Sequence, residues 1–106
     1  MSYRFMRILV FFDLPNTTIE NRRTYSAFRK YLLRNGFMML QESVYCKLVL
    51  NAVVANAVIN NVKKNVPQEG LVELLTITER QFSKMEILTG EAHDDVLNND
   101  ERLVCL

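Results

Sequence analysis

The sequence predicts an α+β fold: an antiparallel four-stranded sheet carrying two helices on one face. Hydrophobic patterning alternates between strand-like and helix-like segments in the order β-α-β-β-α-β, and capping residues and glycines punctuate the helical ones. The 106 residues, 49% hydrophobic and 24% charged, suffice for one packed core and fall short of two.

Residues 4–12 hold Phe5, Ile8, Val10, Phe11 and Phe12, a near-continuous apolar run that suits a central strand. Asp13-Leu14-Pro15-Asn16 ends it, because Pro15 has no amide to donate to a ladder and Asn16 favours a turn. Thr17 and Glu20 have capping-box spacing, so a helix is expected over residues 17–34, stopped at Asn35-Gly36. At 100° per residue Tyr25, Phe28, Tyr31 and Leu32 share one side. Arg22, Arg23, Arg29, Lys30 and Arg34 share another, with Leu33 among them. This gives an apolar stripe for the core and a broad basic face.

Residues 37–43 and 44–50 read as two successive strands, the second alternating Val44, Cys46, Leu48 and Leu50 with Tyr45 and Lys47. Asn51 is placed to cap a second helix through residue 65, with Ala55, Val58, Ile59 and Val62 at core spacing. Pro67 and Gly70 bound a loop, and residues 71–78 form another apolar strand. Thr78 and Gln81 again have capping-box spacing, which predicts a short helical turn before a further strand at 86–89. Residues 91–101 are polar and acidic, and 102–106 are apolar. The order is that of a ferredoxin-like βαββαβ domain with a C-terminal strand extension. One domain covers 1–106, with a core over about 1–90 and a tail over 91–106 for partner contacts. One sheet face is left uncovered, and a second copy of so small a domain would gain by burying it, so a homodimer is expected.

Composition narrows the function. No run approaches the roughly 18 apolar residues of a membrane span, and MSYRFMRILVFF lacks a small-residue cleavage site. Cys46 and Cys105 form no disulfide framework, so a cytoplasmic setting is the default. Cys46 alternates with core residues and reads as packing, and the lone His93 reads as exposed. Two Cys and one His are too few for an ordinary zinc site. Gly36, Gly70 and Gly90 form no phosphate loop, there is no Gly-x-Ser-x-Gly elbow, and residues 44–50 lack the aromatic signature of RNA-recognition strands. The net charge of +1 conceals a split. Residues 1–50 carry eight Lys/Arg against three Asp/Glu, and residues 51–106 carry five against nine. One face for a polyanion and another for a different partner would explain it, and so would ordinary solvated surface.

Asp13 follows an apolar strand directly, where its side chain emerges at a sheet end. It either caps the turn or holds a metal. A dimer axis would supply two such carboxylates, enough for Mg²⁺ with waters at a phosphodiester. Arg22 and Arg23 open the basic face, whose planar guanidinium forks suit phosphate. Lys30 and Arg34 continue it.

The strand ending FFDLP, the helix NRRTYSAFRKYLLRNGF and the following QESVY together resemble the CRISPR-associated protein 2 family. The family pattern falls on Asp13, on Arg22 and Arg23, on Gly36, and on Gln41, Ser43, Val44 and Tyr45. MSYRFMR and TITERQFSKM further resemble the version found in subtype II-A systems. The resemblance covers essentially the whole chain. It implies a homodimer with its two Asp13 side chains facing one another, and Mg²⁺-dependent phosphodiesterase activity on RNA or DNA with Asp13 as metal ligand and catalytic group. It also implies a scaffold that bridges two CRISPR integrase dimers and lies along duplex DNA during spacer acquisition, its C-terminal strand and tail engaging the neighbouring subunit and the integrase. The scaffold is the main expected role, a stand-alone toxin-type endoribonuclease the alternative. A small-molecule sensor is disfavoured, for want of a ligand-cradling glycine loop.

Overall fold

The computed structural model of the chain describes residues 4–91. Residues 1–3 and 92–106 lie outside this range, and with them His93, Cys105 and nearly all of the expected tail. The elements are β1 (Met6–Asp13), α1 (Ile19–Arg34), β2 (Met38–Gln41), β3 (Val44–Val49), α2 (Ala52–Lys63), β4 (Leu71–Thr78) and α3 (Glu79–Phe82). The strands form one antiparallel sheet in the order β2-β3-β1-β4, so the α+β ferredoxin-like expectation holds.

β1 is central because it is apolar on both faces, and parity sorts its side chains. Ile8, Val10 and Phe12 point toward the helices and pack with Phe28, Leu32, Phe37, Tyr45, Ala55 and Val62. Phe12 anchors an aromatic cluster, edge-on to Phe28 at 5.1 Å and stacked on Tyr45 at 5.6 Å between ring centroids. Ile8 and Leu32 are wholly buried, so truncating either to Ala costs about 2–5 kcal/mol. The predicted stripe of α1 is the one that packs inward, Leu33 staying exposed among the bases.

The opposite face carries Arg7, Leu9 and Phe11 of β1. Across the ladders these align with Leu48, Cys46 and Val44 of β3 and with Ile77, Leu75 and Glu73 of β4, and Asp13 aligns with Leu71. Only Leu9, Cys46 and Arg7 are buried there, beneath Phe82 of α3. Leu48, Leu71 and Leu75 are each about half exposed, at 47%, 55% and 50%. Cys46 is therefore a packed thiol, as its alternation suggested.

The caps explain where the helices begin. Asn51 accepts from the Val54 amide at 2.9 Å, and Thr78 and Gln81 form the reciprocal capping box. α1, however, is capped by Thr18, which accepts from the Asn21 amide at 3.0 Å. The box expected from Thr17 and Glu20 therefore does not form: the cap lies one residue later, and the third helical residue is then Asn21 and not a glutamate. Adjacent threonines offer the same oxygen, and the chain leaving Pro15-Asn16 presents the second one to the open amides. At the other end Gly36 has φ +87°, and a Cβ there would strike Lys47 Nζ, which itself donates to Asn35 O at 3.0 Å. The strand expected at 86–89 is absent: these residues are exposed and have no strand beside them among the described residues. A strand needs a ladder partner, which this stretch of a single chain lacks. The first hairpin strand is also shorter than expected, since Phe37 turns into the core and the register slips between Met39 and Gln41. No helix among the described residues is long and apolar enough to cross a membrane.

Candidate functional site

Asp13 is the last residue of β1, paired with Leu71 of β4, and its side chain is exposed. On the β3 side the β1 ladder runs out at Phe11 and Val44. The chain then turns outward through Leu14, which is buried, and Pro15. Gly70 fixes this exit from the other flank. Its φ is +95°, and a Cβ there would lie 2.8 Å from Asp13 O and 2.7 Å from Leu14 Cδ2. Only glycine allows β4 to enter so close to the end of β1.

Two hollows meet at Asp13. An open cleft of about 500 Å³ is lined by Asp13, Leu14, Asn16, Arg22, Tyr25, Ser26, Glu42 and Ser43. A smaller hollow of about 160 Å³ on the open sheet face is lined by Phe11, Asp13, Val44, Leu71 and Glu73 among others. The carboxylate is therefore reachable from the helix side and from the uncovered face. Arg22 leans over the loop, Nη1 donating to Asn16 O at 3.5 Å.

Arg22, Arg23, Lys30 and Arg34 line one shallow groove along α1 with Ile19, Ser26 and Ala27. The four sequence-predicted bases thus come together, and Arg22 belongs both to this groove and to the Asp13 cleft. Among the described residues no ion pair engages any of them, because the salt bridge that forms is Arg7–Glu79. Asp13, by contrast, stands apart from Arg23, Lys30 and Arg34, lining no hollow with them.

Several cleft residues escaped the sequence reading as site residues. Tyr25 was assigned to the core stripe, and its ring does lie 5.4 Å from Phe12, yet its hydroxyl is 2.9 Å from Ser43 Oγ beside Asp13. Arg29, grouped with the basic face, turns toward Tyr45. Burial pushes the Tyr45 phenol up, and the nearby Arg29 opposes that rise. Neither neighbour relation follows from helical spacing, because both partners lie on the hairpin. Among the described residues no three His, Cys, Asp or Glu converge as a metal cluster. The residues lining the cleft that carry side-chain oxygens are Asp13, Asn16, Tyr25, Ser26, Glu42 and Ser43.

Comparison with known proteins adds to the geometry. The family described as CRISPR associated protein Cas2 matches residues 6–85. A protein of Treponema denticola named CRISPR-associated endoribonuclease Cas2 is 57% identical over 101 residues, spanning 95% of this chain and 100% of its own length. A protein of the same name from Streptococcus mutans is 48% identical over 101 residues, spanning 95% of this chain and 93% of its own. Another, from Campylobacter jejuni, is 41% identical over 101 residues, 94% of this chain and 71% of its own length.

Proposed function

The chain belongs to the CRISPR associated protein Cas2 family, and from that premise we propose that it is a cytoplasmic, homodimeric CRISPR-associated nuclease that cleaves RNA phosphodiester bonds at Asp13. The observation that carries this reading is the shared cleft, lined both by an exposed carboxylate at a strand end and by an arginine with no carboxylate partner among the described residues. The relatives bear endoribonuclease names, which favours RNA as the substrate.

Hard oxygen donors suit Mg²⁺, and Asp13 with Asn16 and Ser43 offers only these, so the donor chemistry fits that cation. When bound, Mg²⁺ supplies charge neutralisation at the phosphodiester. Among the described residues Asp13 and Glu42 are the only two carboxylates lining the cleft, a sparse set for one chain. A second copy packed on the open face, with its half-exposed Leu48, Leu71 and Leu75, supplies another, since that face extends to the Asp13–Leu71 pair. Arg22 donates to the non-bridging oxygens of the scissile phosphate, and its planar fork orients them toward Asp13. Arg23, Lys30 and Arg34 hold the adjoining backbone through charge.

A second reading rests on the α1 groove itself. Arg23, Lys30 and Arg34 present a basic surface that continues beyond the cleft, as a scaffold holding duplex DNA between integrase dimers requires. The nuclease reading is tested by incubating the purified chain with end-labelled single-stranded RNA and Mg²⁺, with and without EDTA, alongside sedimentation analysis. EDTA-sensitive cleavage by a species of dimer mass is expected. A monomer, or cleavage indifferent to EDTA, contradicts it.

A further inference from the structure

We propose that Ser43 and Tyr25 are positioning residues for Asp13, a role that rests on the nuclease reading above. Among the described residues Ser43 is the one non-glycine with left-handed backbone, at φ 68°. A serine in that conformation costs about 1 kcal/mol or more relative to glycine. Such strain persists where the surroundings hold it in place, and here the Ser43 carbonyl contacts β1 and its hydroxyl contacts α1.

Its carbonyl accepts from the Phe12 amide at 3.0 Å, one step beyond the last paired position, Phe11 and Val44. Its hydroxyl meets the Tyr25 hydroxyl at 2.9 Å. The Tyr25 ring in turn packs against Phe12, 5.4 Å between centroids and tilted by 57°. Two of these contacts converge on Phe12, the residue immediately before Asp13, and the third, between the two hydroxyls, ties them together. From the other flank Gly70 abuts Asp13 O and Leu14. The backbone of Asp13 is clamped on both sides while its carboxylate stays exposed, and Tyr25, Ser43, Asp13 and Arg22 line one cleft. Orientation of a reacting group is worth large rate factors, so a brace of this kind acts on turnover more than on substrate capture.

A turn serving only the fold behaves differently, which makes the proposal testable. Ser43→Gly relieves the backbone strain and keeps the carbonyl bond, so a merely structural role leaves stability equal or higher and turnover intact. Tyr25→Phe keeps the ring packing and removes only the hydroxyl. Positioning predicts that both variants melt at or near the wild-type temperature. It also predicts a kcat for RNA cleavage lowered about ten- to a hundredfold with KM little changed. Independently of activity, the Phe12 and Asp13 amides should exchange with deuterium faster in both variants, with Ile8 and Val10 unaffected. Cleavage that Asp13→Ala abolishes, but that both variants retain at wild-type kcat with unchanged Phe12 and Asp13 exchange, overturns this proposal alone. Absence of any cleavage by the wild-type chain overturns the nuclease reading and this proposal together.

Discussion

Arg7 reaches across the open face of the sheet to Glu79, Nε donating to Oε1 at 2.8 Å and Nη2 to Oε2 at 2.6 Å. The guanidinium also lies 4.3 Å from the Phe82 ring centroid and donates to Cys46 Sγ at 3.8 Å. Burial alone would favour its neutral form, but the hydrogen bonds and charge of Glu79 outweigh that, so Arg7 stays cationic. The pair pins α3 over Leu9 and Cys46 and sets the limit of the surface left for a partner.

Glu79→Gln leaves the Arg7 charge buried without its counter-ion. Removing one partner of a buried pair costs about 3–5 kcal/mol, and the partial exposure of Glu79 reduces this to roughly 2 kcal/mol. The double change Arg7→Met with Glu79→Gln should recover most of the loss, because the orphaned charge goes too. Urea unfolding of the four proteins of the cycle measures it. Equal stability of Glu79→Gln and the wild type would show the pair to be inert.

Alkaline pH should weaken the fold. Burial pushes the Cys46 thiol above its ordinary 9.0, against the opposing charge of Arg7, and pushes the Tyr31 and Tyr45 phenols above their ordinary 10.0. The folded state holds these protons more tightly than the unfolded chain. Their contribution is thus full below the unfolded values and is lost as pH rises through the folded ones. Tyr45→Phe should flatten this loss. Urea midpoints from neutral pH to about pH 11 test it, and a flat wild-type profile contradicts it.

Leu75→Glu and Leu48→Glu each place a charge in the middle of the open face. If a second copy covers that face, either change should yield monomers by sedimentation. Monomer stability should stay within about 0.5 kcal/mol, since both side chains are already half exposed. Dimers that survive both changes would place the interface elsewhere.

What the sequence disclosed follows the range of the interaction. The caps of α2 and α3 were legible because Asn51 and Thr78 bond amides three residues away, whereas the choice between Thr17 and Thr18 was not, both being able to do the same work. The succession of strands and helices was legible from hydrophobic patterning and its punctuation by caps and glycines, and the family from FFDLP, the arginine pair and QESVY. The Arg7–Glu79 pair joins residues 72 apart in sequence, so no local pattern announces it. Tyr25 looked like core because one side of its ring is core; that its hydroxyl reaches Ser43 depends on the hairpin turn. The 86–89 stretch had strand composition without a neighbour to pair with.

The basic groove should grip backbone without reading sequence. Arg23→Ala, Lys30→Ala and Arg34→Ala should each weaken duplex binding alike for unrelated sequences and flatten its salt dependence by roughly one slope unit per lost contact. Fluorescence anisotropy across a salt series reads both. An effect confined to one sequence, or an unchanged slope in all three variants, would remove the groove from the interface.

Asp13→Ala separates the two readings of this protein. The side chain is exposed at a strand end and accepts no hydrogen bond among those found for the described residues, so its loss should change stability by no more than about 0.5 kcal/mol. In the nuclease reading the carboxylate is the charged metal ligand from each subunit, and Mg²⁺-dependent RNA cleavage should vanish. In the scaffold reading DNA is held by Arg23, Lys30 and Arg34, which do not need that carboxylate. Removing two negative charges from a dimer would if anything favour a polyanion. The variant is therefore expected to lose cleavage yet still dimerise, bind duplex DNA and, supplied with the integrase, support spacer insertion. Both assays belong on one preparation, with folding checked by circular dichroism. Spacer insertion lost in a well-folded Asp13→Ala dimer would tie the scaffold role to the same carboxylate, and cleavage retained by it would move the active site away from the end of β1.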